Sequence, residues 1–382
     1  MIAPRRLAVI FDAVEERWPS MDFVAEMLVE HLRAEHGDQY ATGTIRPRFF
    51  DLFEKLPGLD QNRAWNADRM VTRFITYPIQ LVSRRREFDF FHVADHTYAQ
   101  LANVLPPTRT GIYCHDLDAF EALLDPKGSS STWRRAMART QLRGLQRVAL
   151  VFYSTEQIQK QIVEAGILDP SRLVHAPYGV AAEFFSDDGI EELEPGLPPS
   201  RPFLMHVGSS MSRKRLDVLF RVFAEVRKRL PGLVLLQRGA RLLPEQRRLL
   251  SELGVADALV QPPPLSRAAL AALYHRAELV LLTSEREGFG LPILEALASG
   301  AALVASDIAA FREVGAEAVT YCPVADVERW TDTVVRLIEH PELRPPAAVR
   351  YAVARRFTWT AHAAIIAGAY ARLGGSPASE RA

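Results

Sequence analysis

Residues 284–300 read SEREGFGLPILEALASG, with two glutamates, Glu287 and Glu295, on either side of a Gly-Phe-Gly-Leu-Pro turn. The run before it, ELVLLTS (278–284), is apolar at consecutive positions, as a strand buried on both faces would be. PILEALAS (292–299) has helical spacing. Pro292 suits the first helical position, where its missing N–H would be orphaned anyway, and Gly300 suits the stop. Gly288 and Gly290 permit positive φ and close approach of a ligand to the backbone. Strand, glycine turn and helix N-terminus together favour a phosphate, because the free N–H groups and the helix dipole point at it.

A carboxylate beside that phosphate would repel it unless the carboxylate accepts hydrogen bonds from neutral hydroxyls. A diphosphate on the helix end with a polyol on either side reconciles the two features, and a nucleotide sugar is such a molecule. The plainer alternative leaves Glu295 as a helix decoration and Glu287 as a loop charge. Lys214, in SRKR after the apolar run FLMHVG (203–208), supplies a cation at a strand's carboxyl end. There it would stabilise the charge developing on a departing nucleoside diphosphate.

Other residues invite different chemistry. Cys114 and His115 in IYCHDLDAF (112–120) suggest a thiol nucleophile, but neighbours continuing a strand point to opposite faces. Asp116-Leu117-Asp118 spells a short metal-binding triplet, but three residues are too few to be specific, and a loop or helix-capping role is the stronger reading for either aspartate. His92 and His96 lie about 13 Å apart along an extended chain, too far for one ion. In FDAVEERWPSMDF (11–23) no glycine loop follows the first apolar run, and Ser20 is positioned to cap a helix starting near Met21. WRRAMARTQLRGLQRVAL (133–149) carries Arg135, Arg139, Arg143 and Arg147 at four-residue spacing, with no acid between Asp125 and Glu156. That basic helix fits a solvated face, a phosphate-bearing acceptor or an anionic membrane surface, with Trp133, Met137, Leu142 and Leu145 available to a core or a bilayer.

The elements that must position these residues follow from alternation. Apolar runs at 7–11, 88–93, 110–114, 149–154, 203–208, 233–239, 278–284 and 302–306 are separated by helical patterns, which predicts parallel sheets of βαβ units. An acidic, then proline-rich stretch at 186–202 reads as a linker, with domains at 1–185 and 203–357 and a disordered tail at 374–382. The 382 residues exceed one ordinary core. The fold class is therefore α/β, two doubly wound parallel-sheet domains, with ligands at the carboxyl ends of the strands. With 46 basic and 46 acidic residues the chain has no global charge to attract nucleic acid. Two cysteines give neither a disulfide framework nor zinc spacing, and no run is long enough to span a bilayer, so a cytoplasmic protein is expected.

EGFGLPILE, with seven residues between its glutamates, resembles the signature of retaining family 4 glycosyltransferases of the GT-B fold. The resemblance extends through 206–226, 266–284 and 298–318, and RFTWTAHAAIIAGAYARL (356–373) is similar to the family's closing helix, which returns to the N-terminal domain. It is strong over 203–373 and weaker before. It implies that Glu287 and the backbone of Phe289, Gly290 and Leu291 hold the donor sugar, and that Glu295 holds ribose hydroxyls. Lys214, Arg213 and Gly208 would take the diphosphate, with Arg238, Gly239 and Gln261 toward the nucleobase. His115 matches a histidine that faces the donor sugar across the cleft in the family. Two departures stand out: Gly208-Ser209 where many relatives have an arginine after the glycine, and QPPP (261–264) where a glycine is usual.

On this architecture Asp12, Glu15 and Glu16 border the acceptor side, with Arg135 and Arg139 as further acceptor candidates. Inverting relatives often carry a histidine base in that loop, and none occurs here, which favours retention. The expected activity is hexose transfer from a nucleoside diphosphate sugar to a glycan, lipid-linked or small-molecule hydroxyl, with no cofactor and no metal. The alternatives are a sugar-nucleotide epimerase or phosphorylase of the same shape, and a silent sugar-nucleotide-binding protein.

Overall fold

The computed structural model describes residues 3–56, 58–124, 131–186, 193, 197 and 200–375. The chain divides into one unit of Met1–Tyr178 with Trp359–Ala382 and a second of Gly179–Thr358. Most of the expected linker 186–202 and the tail from 376 lie outside the described residues.

The first unit is built on a six-stranded parallel sheet of β1 (Arg5–Ile10), β2 (Tyr40–Ile45), β3 (Phe90–Val93), β4 (Thr110–Cys114), β5 (Leu150–Tyr153) and β6 (Leu173–His175). Their order is β2-β1-β3-β4-β5-β6. Leu7 to Ile10 of β1 pair in register with Phe90 to Val93 of β3. Every residue of β3, β4 and β5 is buried, so these strands read as unbroken apolar runs. The last helix, Trp359–Gly375, extends two residues into the expected tail and packs on this sheet and on the helix Pro19–Glu35. Tyr370 Oη donates to Phe91 O at 2.9 Å, and Tyr40 Oη donates to Ala367 O at 3.0 Å.

The second unit repeats the plan with β7 (Phe203–Val207), β8 (Val234–Arg238), β9 (Leu259–Val260), β10 (Leu279–Leu282), β11 (Leu303–Ser306) and β12 (Thr320–Cys322). Their order is β12-β11-β10-β7-β8-β9, all parallel. The order reverses between β7 and β10, where connections leave in opposite directions and a crevice opens at the carboxyl ends. In the first sheet the same reversal falls between β1 and β3.

Two local expectations change. The helix Pro19–Glu35 begins at Pro19, so Ser20 sits inside its first turn and caps nothing. Leu291, and not Pro292, is the first residue of the helix Leu291–Ala298.

Candidate functional site

The reversal in the second sheet gathers two loops. The chain leaves β7 into residues 208–215, and leaves β10 into residues 283–290. They are stitched together: Glu285 N donates to Arg213 O at 2.9 Å, and Thr283 Oγ1 donates to Lys214 O at 3.0 Å. Arg215 adopts the left-handed conformation, φ 49°, at the turn into the helix Leu216–Arg229. Its guanidinium is held by Asp217 and Glu285, which offsets part of the cost of that backbone.

Glu287 is the centre of this junction. Its Oε1 accepts from Lys214 Nζ at 2.5 Å and from Ser284 Oγ at 2.7 Å, and its Oε2 accepts from an Arg213 Nη at 2.7 Å. Only 8% of the Glu287 side chain is exposed. Burial opposes its ionisation, but Lys214 and Arg213 prevail and hold the carboxyl below its ordinary range. Two cations on one carboxylate leave a net positive charge at the loop. An arriving anion would meet both cations already oriented.

The turn that follows is shaped by Gly290, at φ 97°. A Cβ there would lie 2.8 Å from Phe311 Cε1, so both torsion and space demand glycine. Positive φ is confined to Gly290; Gly288 does not share it. No side chain among the described residues caps the helix that starts at Leu291. Phe289 is buried and packs edge-on against Phe357.

Glu295 lies one turn along that helix, and Tyr274 Oη donates to its Oε2 at 2.9 Å. Burial raises its carboxyl to about 7, against the opposing pull of Tyr274 and Arg238. The remaining expected residues are connected through Gln237. Its Nε2 donates to Gly208 O at 3.1 Å, and its Oε1 accepts from Gln261 Nε2 at 2.6 Å. Gly208 N donates to Arg238 O at 2.9 Å. A Cβ on Gly239 would fall 1.8 Å from Gly208 O, so this approach is closed to any other residue. The buried Nε of Arg238 has no hydrogen-bond partner among the described residues.

Four participants escaped the sequence reading: Ser284, Tyr274, Gln237 and His206. His206 is buried; its Nδ1 donates to Leu281 O at 2.8 Å, leaving Nε2 an acceptor with no hydrogen-bond partner among the described residues. Burial, with Lys214 adding to it, lowers this imidazole to about 4, so it is neutral. Its place in HVG, one residue before the strand's end, was the only signal for it.

The first unit assembles a second cluster at its own reversal. Asp12 is buried, and burial together with neighbouring Asp95 raises its carboxyl well above the ordinary range. Glu15 is exposed. Glu16, expected to be open to an acceptor, is instead tied up: it accepts from Tyr98 Oη at 2.7 Å and pairs with Arg69 and Arg73. His96 lies 3.3 Å from Asp95 and 3.4 Å from Asp116, while His92 bonds Tyr370. Asp116 Oδ1 accepts from the Asp118 N–H two residues on, an Asx turn, and no side chain among the described residues caps the short helix that begins at Asp118.

His115 has both ring nitrogens engaged. Nε2 faces Ala94 O at 2.8 Å and so must donate, which leaves Nδ1 to accept from Tyr178 Oη. Burial lowers its pKa, which favours the neutral ring. Cys114 is fully buried in the core, with its thiol pushed up by burial. Along the helix Thr132–Arg147, Arg139, Arg143 and Arg147 are exposed, whereas Arg135 is half-buried. No helix among the described residues is long and apolar enough to cross a membrane.

Residues 190–349 match the family model described as Glycosyl transferases group 1. D-inositol 3-phosphate glycosyltransferase of Segniliparus rotundus is 34% identical over 251 residues, covering 61% of this chain and 56% of that protein. The Mycolicibacterium smegmatis protein of the same name is 30% identical over 232 residues, covering 57% and 52%. The chain thus spans about half the length of the curated relatives it matches. Among solved structures, sucrose-phosphate synthase from Thermosynechococcus elongatus superposes with a TM-score of 0.72 at 16% identity, over 98% of this chain and 100% of that one. Anabaena HepE in complex with UDP and glucose also gives 0.72, at 15% identity, over 97% and 100%. Residues 190–349 are thus similar to the group 1 glycosyl transferases, in a chain whose two six-stranded parallel sheets have the GT-B fold.

Proposed function

We propose that the protein is a retaining glycosyltransferase, moving a hexose from a nucleoside diphosphate sugar to an acceptor hydroxyl. The observation that carries this reading is the triad of Arg213, Lys214 and Glu287. Glu287 occupies the place of an anion between two cations. On donor binding, the diphosphate takes Lys214 and Arg213, and Glu287, released, accepts hydrogen bonds from the donor sugar. Phe289, Gly290 and Leu291 border the sugar with backbone groups. Glu295 takes the ribose hydroxyls, and Arg238, Gly239 and Gln261 lie toward the base.

In the transfer itself the bond from the anomeric carbon to the β-phosphate oxygen breaks, and a bond to the acceptor oxygen forms on the same face. The acceptor's proton passes to the leaving phosphate oxygen, so no second carboxylate at a fixed distance is required. Lys214 and Arg213 stabilise the charge that accumulates on the diphosphate. In the proposed transfer no metal is needed, because those two side chains supply the positive charge. His115 would face the donor sugar, and Asp12, Glu15, Arg135 and Arg139 are assigned to the acceptor side.

The relatives' name identifies their acceptor as a phosphorylated polyol. Inositol phosphates are therefore the first acceptors to try. The test is proton NMR of the glycoside formed from a defined donor: an anomeric configuration equal to the donor's supports the proposal, and inversion overturns it. Release of nucleoside diphosphate independent of any acceptor would favour epimerase-like chemistry instead.

A further inference from the structure

The helix Tyr77–Arg84 and the π-helical turn Thr72–Thr76 before it present an unusual outer face. Their inner side is apolar, with Tyr77 and Leu81 buried. The opposite side exposes Ile75 (53%), Ile79 (65%) and Val82 (42%), spaced four and three residues apart. A surface helix ordinarily turns polar groups outward, and one apolar on both sides belongs between two apolar media.

At its carboxyl end the helix opens onto a cavity of about 830 Å³ at the amino-terminal edge of the first sheet. Val82 lines it, so apolar stripe and cavity are continuous. Arg85, Arg86, Arg109 and Arg147 line it too, and none of them forms an ion pair with a described residue. The only acid in the described lining, Asp89, is taken by Arg6, whose backbone N–H donates to it at 2.7 Å. The carboxyl ends of two helices, 77–84 and 132–147, converge here and account for roughly one unit of negative dipole charge between them. Four guanidiniums exceed that demand. Arg147 also continues the exposed Arg139 and Arg143 of the basic helix, whose first turn exposes Trp133 at 61%.

We propose that this face docks on an anionic phospholipid bilayer. A lipid phosphate enters the arginine-lined cavity, and Ile75, Ile79 and Val82 lie against the glycerol and acyl region beside it. A freely dissolved phosphate ester would satisfy the arginines but has no use for the apolar stripe, which is why the bilayer is the favoured occupant. The chain's overall charge balance makes the attraction local to this face. The inference is independent of the donor site, which lies in the other unit.

The test is sedimentation of the full chain with vesicles of phosphatidylcholine, alone or mixed with phosphatidylglycerol, at low ionic strength. Binding is expected to the mixed vesicles only. Replacing both Arg86→Ala and Arg109→Ala should lower partitioning about thirtyfold, at roughly fivefold per basic residue. Ile79→Ser with Val82→Ser should make the remaining binding reversible by moderate salt. Ile79, Val82 and Arg86 are exposed and Arg109 is half-buried, and unchanged thermal melting and nucleotide-sugar binding check that the variants are folded. Equal partition to both vesicle types, or undiminished binding by the arginine variant, overturns the proposal. So does saturable binding of soluble glycerol phosphate, lost in the arginine variant, without vesicle binding.

Discussion

Glu287 is held by three donors, and two of them, Lys214 and Arg213, would take the diphosphate in the proposed reaction. If the carboxylate competes with the diphosphate for Lys214 and Arg213, then Glu287→Gln should bind free nucleoside diphosphate more tightly than the wild type while losing transfer by about 10²-fold or more. Titration calorimetry and turnover measured on one preparation would check both halves, and weaker diphosphate binding would contradict the exchange. Glu295 carries a different signature. With its carboxyl raised to about 7, it gains charge as pH rises from 6 to 8, and ribose hydroxyls gain an ionised acceptor. Donor affinity should rise across that interval and become flat in Glu295→Gln. Folding stability runs the opposite way. The raised pKa favours the folded state fully below the ordinary carboxyl range and is lost as pH rises through about 7. Glu295→Gln should therefore gain stability relative to wild type at pH 8 and little at pH 4. The acids and cations themselves were legible in the sequence because charge within an apolar strand–turn–helix pattern stands out. Ser284, Tyr274 and His206 were not, since hydroxyls and an imidazole at strand ends and on helices carry no pattern, and only the fold aims them.

The elements show a similar division. The eight strands that sit inside the two sheets are the ones announced by consecutive apolar residues, LVLL of β10 being typical. The four that were not legible, β2, β6, β9 and β12, are the four sheet edges. YATGTI of β2 is buried only at its ends and TYC of β12 only at its last residue, so neither needs an apolar run. The glycine turn was legible, but the work assigned to two glycines falls on Gly290. Gly290→Ala should cost about 1–3 kcal/mol, through a left-handed φ and a collision with Phe311. A thermal melt would check this, and unchanged stability would mean the turn relaxes freely.

For the whole molecule, two α/β units in one chain followed from length and alternation alone. Which unit owns the last helix depends on side chains that periodicity does not single out. Trp359, Ile366 and Tyr370 are buried in the first unit, each worth about 1.5–3 kcal/mol of burial. Their sum is comparable with a domain's entire stability of about 5–15 kcal/mol. A chain ending at Thr358 should therefore fail to fold its first unit while the second melts separately, as calorimetry would reveal. A retained first transition would contradict that dependence.

On the proposed reading, the Lys214–Glu287 junction receives a nucleoside diphosphate sugar. The most direct measurement of that claim is a thermal-shift comparison of wild type and Lys214→Ala against UDP-, GDP-, ADP- and dTDP-sugars. At a hundred times its dissociation constant, the correct donor should add about 2.7 kcal/mol to the wild type, and little to the variant. Equal stabilisation of both proteins, or none of the wild type by any of the four, would contradict the claim.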